Sequence, residues 1–142
     1  MRARRTAATT TALLATLALA GCTKPTPPVT FYSSGTAVDT RASLWCFEAE
    51  AEDTCREDQL AVPRLPVRNG QMSVNVESEI AERGWYIASP GQSPTPIHEE
   101  YFQFRGLGQL PEEGFPVELI VTDGEEGEGR QTGRYLITLV PE

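Results

Sequence analysis

Three cysteines, one histidine and 20 carboxylates are the residues of this 142-residue chain with chemistry to offer. Cys22 is the most informative. It follows Leu19-Ala20-Gly21 at the end of an uncharged apolar run, residues 10–20 (TTALLATLALA), preceded by Arg2, Arg4 and Arg5. A basic start, a short apolar stretch and small residues before a cysteine form a lipobox. The run is too short to span a bilayer, which takes about 20 apolar residues. The Cys22 thiol would take a diacylglyceryl group by thioether, and cleavage between Gly21 and Cys22 would free an amine that accepts a further chain. Two or more acyl chains make a stable anchor, at about 0.8 kcal/mol per buried methylene. The Arg4-Arg5 pair hints at twin-arginine export. The residues that usually follow such a pair are missing, which favours the general secretion route.

Cys46 and Cys55 remain. In an oxidising exterior an even pair nine residues apart is expected to form a disulfide. They are too close in sequence to pin two sheets through a core, so the bond should staple a strand to its own following loop.

The other candidates are weaker. His98, the sole histidine, is flanked by Glu99 and Glu100. A serine triad needs a serine in a sharp turn, and the nearest stretch, residues 91–95 (GQSPT), lacks the second glycine. Paired carboxylates such as Glu99 and Glu100 could hydrolyse an envelope polymer, but in so acidic a chain a pair is always found. Copper and zinc sites need more histidine and free thiolate than this chain carries. Glu48, Glu50, Glu52 and Asp53, or Asp123, Glu125, Glu126 and Glu128, offer hard oxygens for calcium. Neither run follows a calcium-loop spacing, and charge runs are usually solvated. No metal or cofactor is expected; a calcium-stabilised domain and a carboxylate hydrolase are the alternatives. Aromatics remain: Trp45, Trp85, Tyr86, Tyr101, Phe102 and Phe104 could line a groove for a glycan or peptide. Tyr86 and Tyr101 alternate against core positions, so these two are the expected ligand-facing residues.

Charge narrows the partners. The full chain is net −8; without the three arginines of residues 1–21, nine bases face 20 acids, net −11. Such a domain repels nucleic acid and does not lie flat on an anionic membrane. Lys24 is the only lysine, which leaves none for Schiff-base chemistry beyond the tether.

These residues need a frame. Residues 1–21 read as a removed signal peptide, 22–28 as a lipidated, proline-rich tether in extended geometry that lifts the domain off the lipid, and 29–142 as one domain. Strands are expected at 29–34 (Val29 and Phe31 on one face), 38–47 (Ala42, Leu44 and Cys46 on one face; Ser43, Trp45 and Phe47 on the other), 72–77, 85–88 and 101–105. Residues 60–67 carry Pro63 and Pro66, so they make an edge strand at best. Asn69-Gly70 marks a turn, and residues 78–83 a helical turn stopped by Gly84. A hairpin joins 117–122 to 135–140 across residues 123–130 (DGEEGEGR). Seven or eight short strands with turns between them predict an all-β, antiparallel, Ig-like sandwich.

The chain also resembles the bacterial lipoprotein family catalogued as domain of unknown function 2771. The resemblance rests on residues 22–25 (CTKP), the Cys46/Cys55 pair, residues 74–87 (VNVESEIAERGWYI) and residues 133–139 (GRYLITL), and covers nearly the whole chain. It implies a cell-envelope lipoprotein and brings no catalytic residues. Together these readings lead us to expect a non-enzymatic binding or accessory module, held by lipid on the outer face of the cell membrane beside an envelope partner.

Overall fold

The computed structural model describes residues 24–88, 95–124 and 129–142. Cys22, Gly21, Ser93 and Glu125, Glu126 and Glu128 lie outside the described residues.

Among the described residues, ten strands and one short α-helix form two packed sheets. Strands β1 (Val29–Ser33) and β2 (Thr36–Thr40) make a hairpin over Ser34-Gly35, both at positive φ. With β6 (Gln71–Val76) and β8 (Tyr101–Arg105) they form a four-stranded antiparallel sheet, ordered β2-β1-β6-β8. The second sheet runs β4 (Cys55–Glu57), β3 (Ala42–Cys46), β10 (Gln131–Pro141), β9 (Phe115–Thr122) and β7 (Trp85–Ile87). Its sixth strand, β5 (Arg64–Val67), pairs in parallel with the far end of β10.

Period-two alternation creates the core. Val29, Phe31, Met72, Val74 and Val76 face inward from the four-stranded sheet. Val117, Leu119, Val121, Tyr135, Ile137 and Leu139 face them from the other. Helix α1 (Ser78–Arg83) carries the chain between the sheets and buries Ile80 and Ala81. It stops at Gly84, whose φ of 98° suits glycine; a Cβ there would lie 2.8 Å from the His98 ring. The Asn69-Gly70 turn has both residues at positive φ, and it turns a corner from β5 in one sheet to β6 in the other.

The sandwich agrees with expectation; the strand count of ten exceeds seven or eight. Residues 38–47 are the main correction. They do not run as one strand. The chain leaves the four-stranded sheet at Thr40, passes Arg41 and enters the six-stranded sheet at Ala42. The alternation carries through the crossing, since Val38, Thr40 and Ala42 all face inward, and flips at Ser43, which β10 skips, so Trp45 is buried and Leu44 half-buried. Tyr135 pairs with Ala42 and Arg134 with Leu44, so Ser43 is the extra residue of a β-bulge, buried with its hydroxyl donating to the Arg134 carbonyl. The expected loop after Cys46 also holds structure: a 3-10 turn, Glu52–Thr54, followed by β4. The Cys46–Cys55 disulfide forms, and it ties β3 to its neighbour β4, where the two residues are direct cross-strand partners.

Of Lys24 to Pro28, Pro27 is buried, Thr26 half-buried and the other three exposed. The Pro27 carbonyl accepts a 2.6 Å hydrogen bond from the buried Tyr135 hydroxyl. Burial pushes the Tyr135 pKa far above its ordinary value of 10.0; Arg83 pulls it down, Glu77 and Glu79 push it up. The unfolded chain therefore releases this proton near pH 10 while the folded chain keeps it. Stability from Tyr135 is complete below that pH and drains away above it. Tyr135→Phe should cost about 1–2 kcal/mol at neutral pH, because the Pro27 carbonyl loses its donor. It should also flatten the decline above pH 10; urea titrations across pH 7–11 test this, and an unchanged slope counts against it.

Candidate functional site

The outer face of the four-stranded sheet collects the exposed polar and aromatic side chains. Strand register sets its rows. Asp39, Thr30, Asn75 and Tyr101 stand side by side on β2, β1, β6 and β8; Ala37, Tyr32, Ser73 and Gln103 form the next row; Gln71 and Arg105 the third. Each follows from alternation against an inward partner, such as Phe31 beside Tyr32 or Phe102 beside Tyr101.

Two tyrosines dominate. Tyr32 is 40% exposed and Tyr101 56% exposed. The Tyr101 hydroxyl donates to Ser73 Oγ at 3.0 Å, and Ser73 is the cross-strand partner of Tyr32. The rings thus flank one serine. Their Cα atoms sit two strands and two residues apart, about 12 Å from the ideal spacings of a sheet. Beside them lies a shallow hollow of about 280 Å³ lined by Tyr32, Ala37, Gln71, Ser73 and Gln103.

The face is electrically neutral. Asp39 and Arg105 are its only formal charges. Each is engaged locally: Thr30 Oγ1 donates to Asp39 at 2.6 Å, and Arg105 donates to Gln103 Oε1 at 2.9 Å. Amides, hydroxyls and two aromatic rings form a surface that hydrogen-bonds and stacks without attracting charge.

The structure separates the two tyrosines expected to face ligand. Tyr101 belongs to this surface. Tyr86 is half-buried on the opposite sheet, paired with Ile120 of β9. Tyr32 is the partner that sequence reasoning missed, although its alternation against Val29 and Phe31 was the available signal. The remaining aromatics pack. Trp85 contacts Phe102 and Phe104 edge-on, with centroids 6.4 and 6.3 Å away, and its Nε1 donates to the Glu99 carbonyl at 3.0 Å.

The other candidates are dispersed. His98 Nδ1 lies 3.1 Å from the Ala81 carbonyl, at the end of α1. Glu99 and Glu100 are exposed, and their backbone carbonyls rather than their carboxylates engage the domain, accepting from Trp85 Nε1 and the Val76 amide. Among the described residues, no group of three or more His, Cys, Asp or Glu side chains is placed to hold a metal ion. Glu52 and Asp123 both lie by Arg130, at 3.5 and 3.9 Å. Also among the described residues, no helix is long and apolar enough to cross a membrane.

No protein-family model, no curated protein and no solved structure matches the chain.

Proposed function

We propose that this chain is a lipid-anchored protein of the cell envelope whose domain is a binding module, and that it takes a neutral, hydroxyl-rich ligand, an envelope glycan, on the outer face of the four-stranded sheet. The signal peptide of residues 1–21, the lipobox cysteine Cys22 and the resemblance to the lipoprotein family support the anchor. One observation carries the ligand: Tyr32 and Tyr101 stand exposed on a face of zero net charge in a mature chain of net charge −11.

The chemistry follows from the surface. A sugar ring offers an apolar C–H face to a tyrosine ring and hydroxyls to amides such as Gln103 and Asn75. A cationic ligand would prefer the acidic loops elsewhere, and an anionic one would be repelled by the domain's field. A spacing near 12 Å suits two sites along one oligosaccharide.

Two measurements test this reading. Cys22→Ala should abolish labelled fatty-acid incorporation and release the protein from membranes; a variant that stays embedded defeats the anchor. Isothermal titration of the mature domain with solubilised envelope polysaccharide should show binding. Tyr32→Ala and Tyr101→Ala should each weaken it about tenfold, or roughly 1.4 kcal/mol. Their melting temperatures should hold, because exposed substitutions usually stay within about 0.5 kcal/mol. Binding that survives both changes, or that is absent, refutes the glycan site.

A further inference from the structure

We infer that the mature domain docks against the bilayer through the face beside its tether, with Leu60 and Val62 meeting the lipid surface and Arg41 and Arg56 reaching its phosphates. The inference rests on the lipid-anchored reading of Cys22, and on three observations.

The first is reach. The proline-rich stretch was expected to hold the domain away from the lipid. Two of its residues touch the domain: Pro27 is buried, its carbonyl accepting from the Tyr135 hydroxyl, and the exposed Lys24 side chain reaches Glu79 at 3.2 Å. Only Thr23 lies between Lys24 and Cys22, two steps that span at most about 7 Å of chain. Even from Pro27 the reach is about 18 Å, comparable to the radius of a domain this size. An acylated Cys22 therefore brings the surface around Lys24 to the membrane.

The second is what that surface carries. A hollow lined by Lys24, Pro25, Arg41, Arg56 and Leu60 adjoins, through Arg41 and Leu60, an apolar cleft of about 250 Å³ lined also by Val62, Pro63 and Leu136. Leu60 and Val62 are 41% and 43% exposed, although they lie in an uninterrupted apolar run, residues 60–63. Exposed apolar side chains grouped beside an anchor suit the boundary between headgroups and acyl chains.

The third is charge. Lys24, Arg41 and Arg56 are three of the mature chain's nine bases. Their neighbours are three acids: Glu79 on Lys24, Asp58 at 3.1 Å from Arg56, and Asp39 in the adjoining cleft. The charged residues that line the two hollows, Lys24, Arg41, Arg56, Asp39 and Asp58, are three bases and two acids, net +1, against −11 for the mature chain. An anionic bilayer would turn this side toward itself and repel the rest. Long arginine side chains can also lie along the surface while their guanidinium groups reach the phosphates.

The test is radical footprinting with mass spectrometry on the full lipidated protein. It would be reconstituted sparsely in vesicles of phosphatidylcholine and phosphatidylglycerol, with the unlipidated mature chain as reference. Oxidation of Leu60 and Val62 should fall several-fold in the lipidated protein, while Tyr32 and Tyr101 stay as reactive as in the reference. Leu60→Glu with Val62→Glu, two exposed positions outside the core cluster, removes the docking contact, so the neighbouring Pro25 and Pro63 should then be as reactive as in the unlipidated chain while the protein stays in the vesicles. A flexible Gly/Ser insert between Thr23 and Lys24 should do the same. Unchanged oxidation at Leu60 and Val62, with acylated Cys22 verified by peptide mass, overturns docking and leaves the anchor standing. Protection that rises with protein density at constant lipid assigns the face to a second copy and overturns it too. A Cys22 found without acyl chains removes the anchor and the docking together.

Discussion

Replacing Trp45 with alanine should destabilise the domain by about 3–5 kcal/mol, the cost of emptying a large buried site that cannot collapse. Trp45 is 1% exposed at the middle of β3. Its ring meets Tyr135 edge-on at a centroid distance of 6.5 Å and lies under the Arg83 guanidinium, whose Cζ is 4.3 Å from the ring centre. Gly133 closes the remaining side; a Cβ there would come within 2.9 Å of the indole. Few single-domain proteins hold more than about 15 kcal/mol in total, so the melting temperature should drop by more than 10 °C. Denaturant titrations followed by circular dichroism give the value, and a loss below 1 kcal/mol would contradict the packing described. Arg83 shares the site: it also donates to the Cys46 carbonyl at 2.8 Å and pairs with Glu79 at 3.2 Å. Trp45→Ala and Arg83→Ala together should therefore cost less than the two separately.

Opening the Cys46–Cys55 bond should cost about 2.5–3 kcal/mol, as Cys46→Ser with Cys55→Ser or on reduction. That is the chain entropy a loop of this length regains when it is untied. The loss should be local at first. β4 has three residues and one neighbouring strand, β3. Without the bond it is held by backbone hydrogen bonds, such as the Asp58 amide to the Ser43 carbonyl at 3.0 Å, and by few side chains. Amide exchange should accelerate through residues 47–58 well before the β9–β10 hairpin responds. Simultaneous acceleration in both regions would mean that the disulfide supports the sandwich as a whole.

Several elements could be read directly from the chain. Met72, Val74 and Val76, then Val117, Leu119 and Val121, then Tyr135, Ile137 and Leu139 alternate cleanly, and all face the core. Gly84 ends the helix at the residue where the pattern stops. These signals are local: a strand with one wet face must alternate, and a helix must be capped. Residues 38–47 misled because alternation is indifferent to which sheet a strand joins. The polarity pattern runs on through Arg41 while the chain crosses between sheets, and the bulge at Ser43 then turns Trp45 rather than Leu44 inward. β5 was difficult for a different reason: its partner is the end of β10, more than 70 residues away, and no local pattern selects a parallel neighbour.

The candidate site was half visible. Tyr101 stood out as an aromatic alternating against core positions, and Tyr86 stood out equally. Only the register of β1, β6 and β8 sets Tyr32 beside Ser73, with Tyr101 bonded to the same serine. Only the pairing of β7 with β9 takes Tyr86 to the opposite sheet, against Ile120.

By itself the sequence determined the class of fold, the disulfide partners and the inward residues of most strands, and it supplied every argument for an exported, acylated chain. Those properties depend on residue type at short range: alternation, turn chemistry and a count of cysteines. The tertiary structure alone decided which alternate face becomes a wet surface and which a second layer, where Trp45 ends up, and that Pro27 is pinned under Tyr135. Each of these depends on which distant strand comes to lie alongside. Strand pairing is chosen by the closing of two sheets over one core, and no stretch of ten residues carries that information.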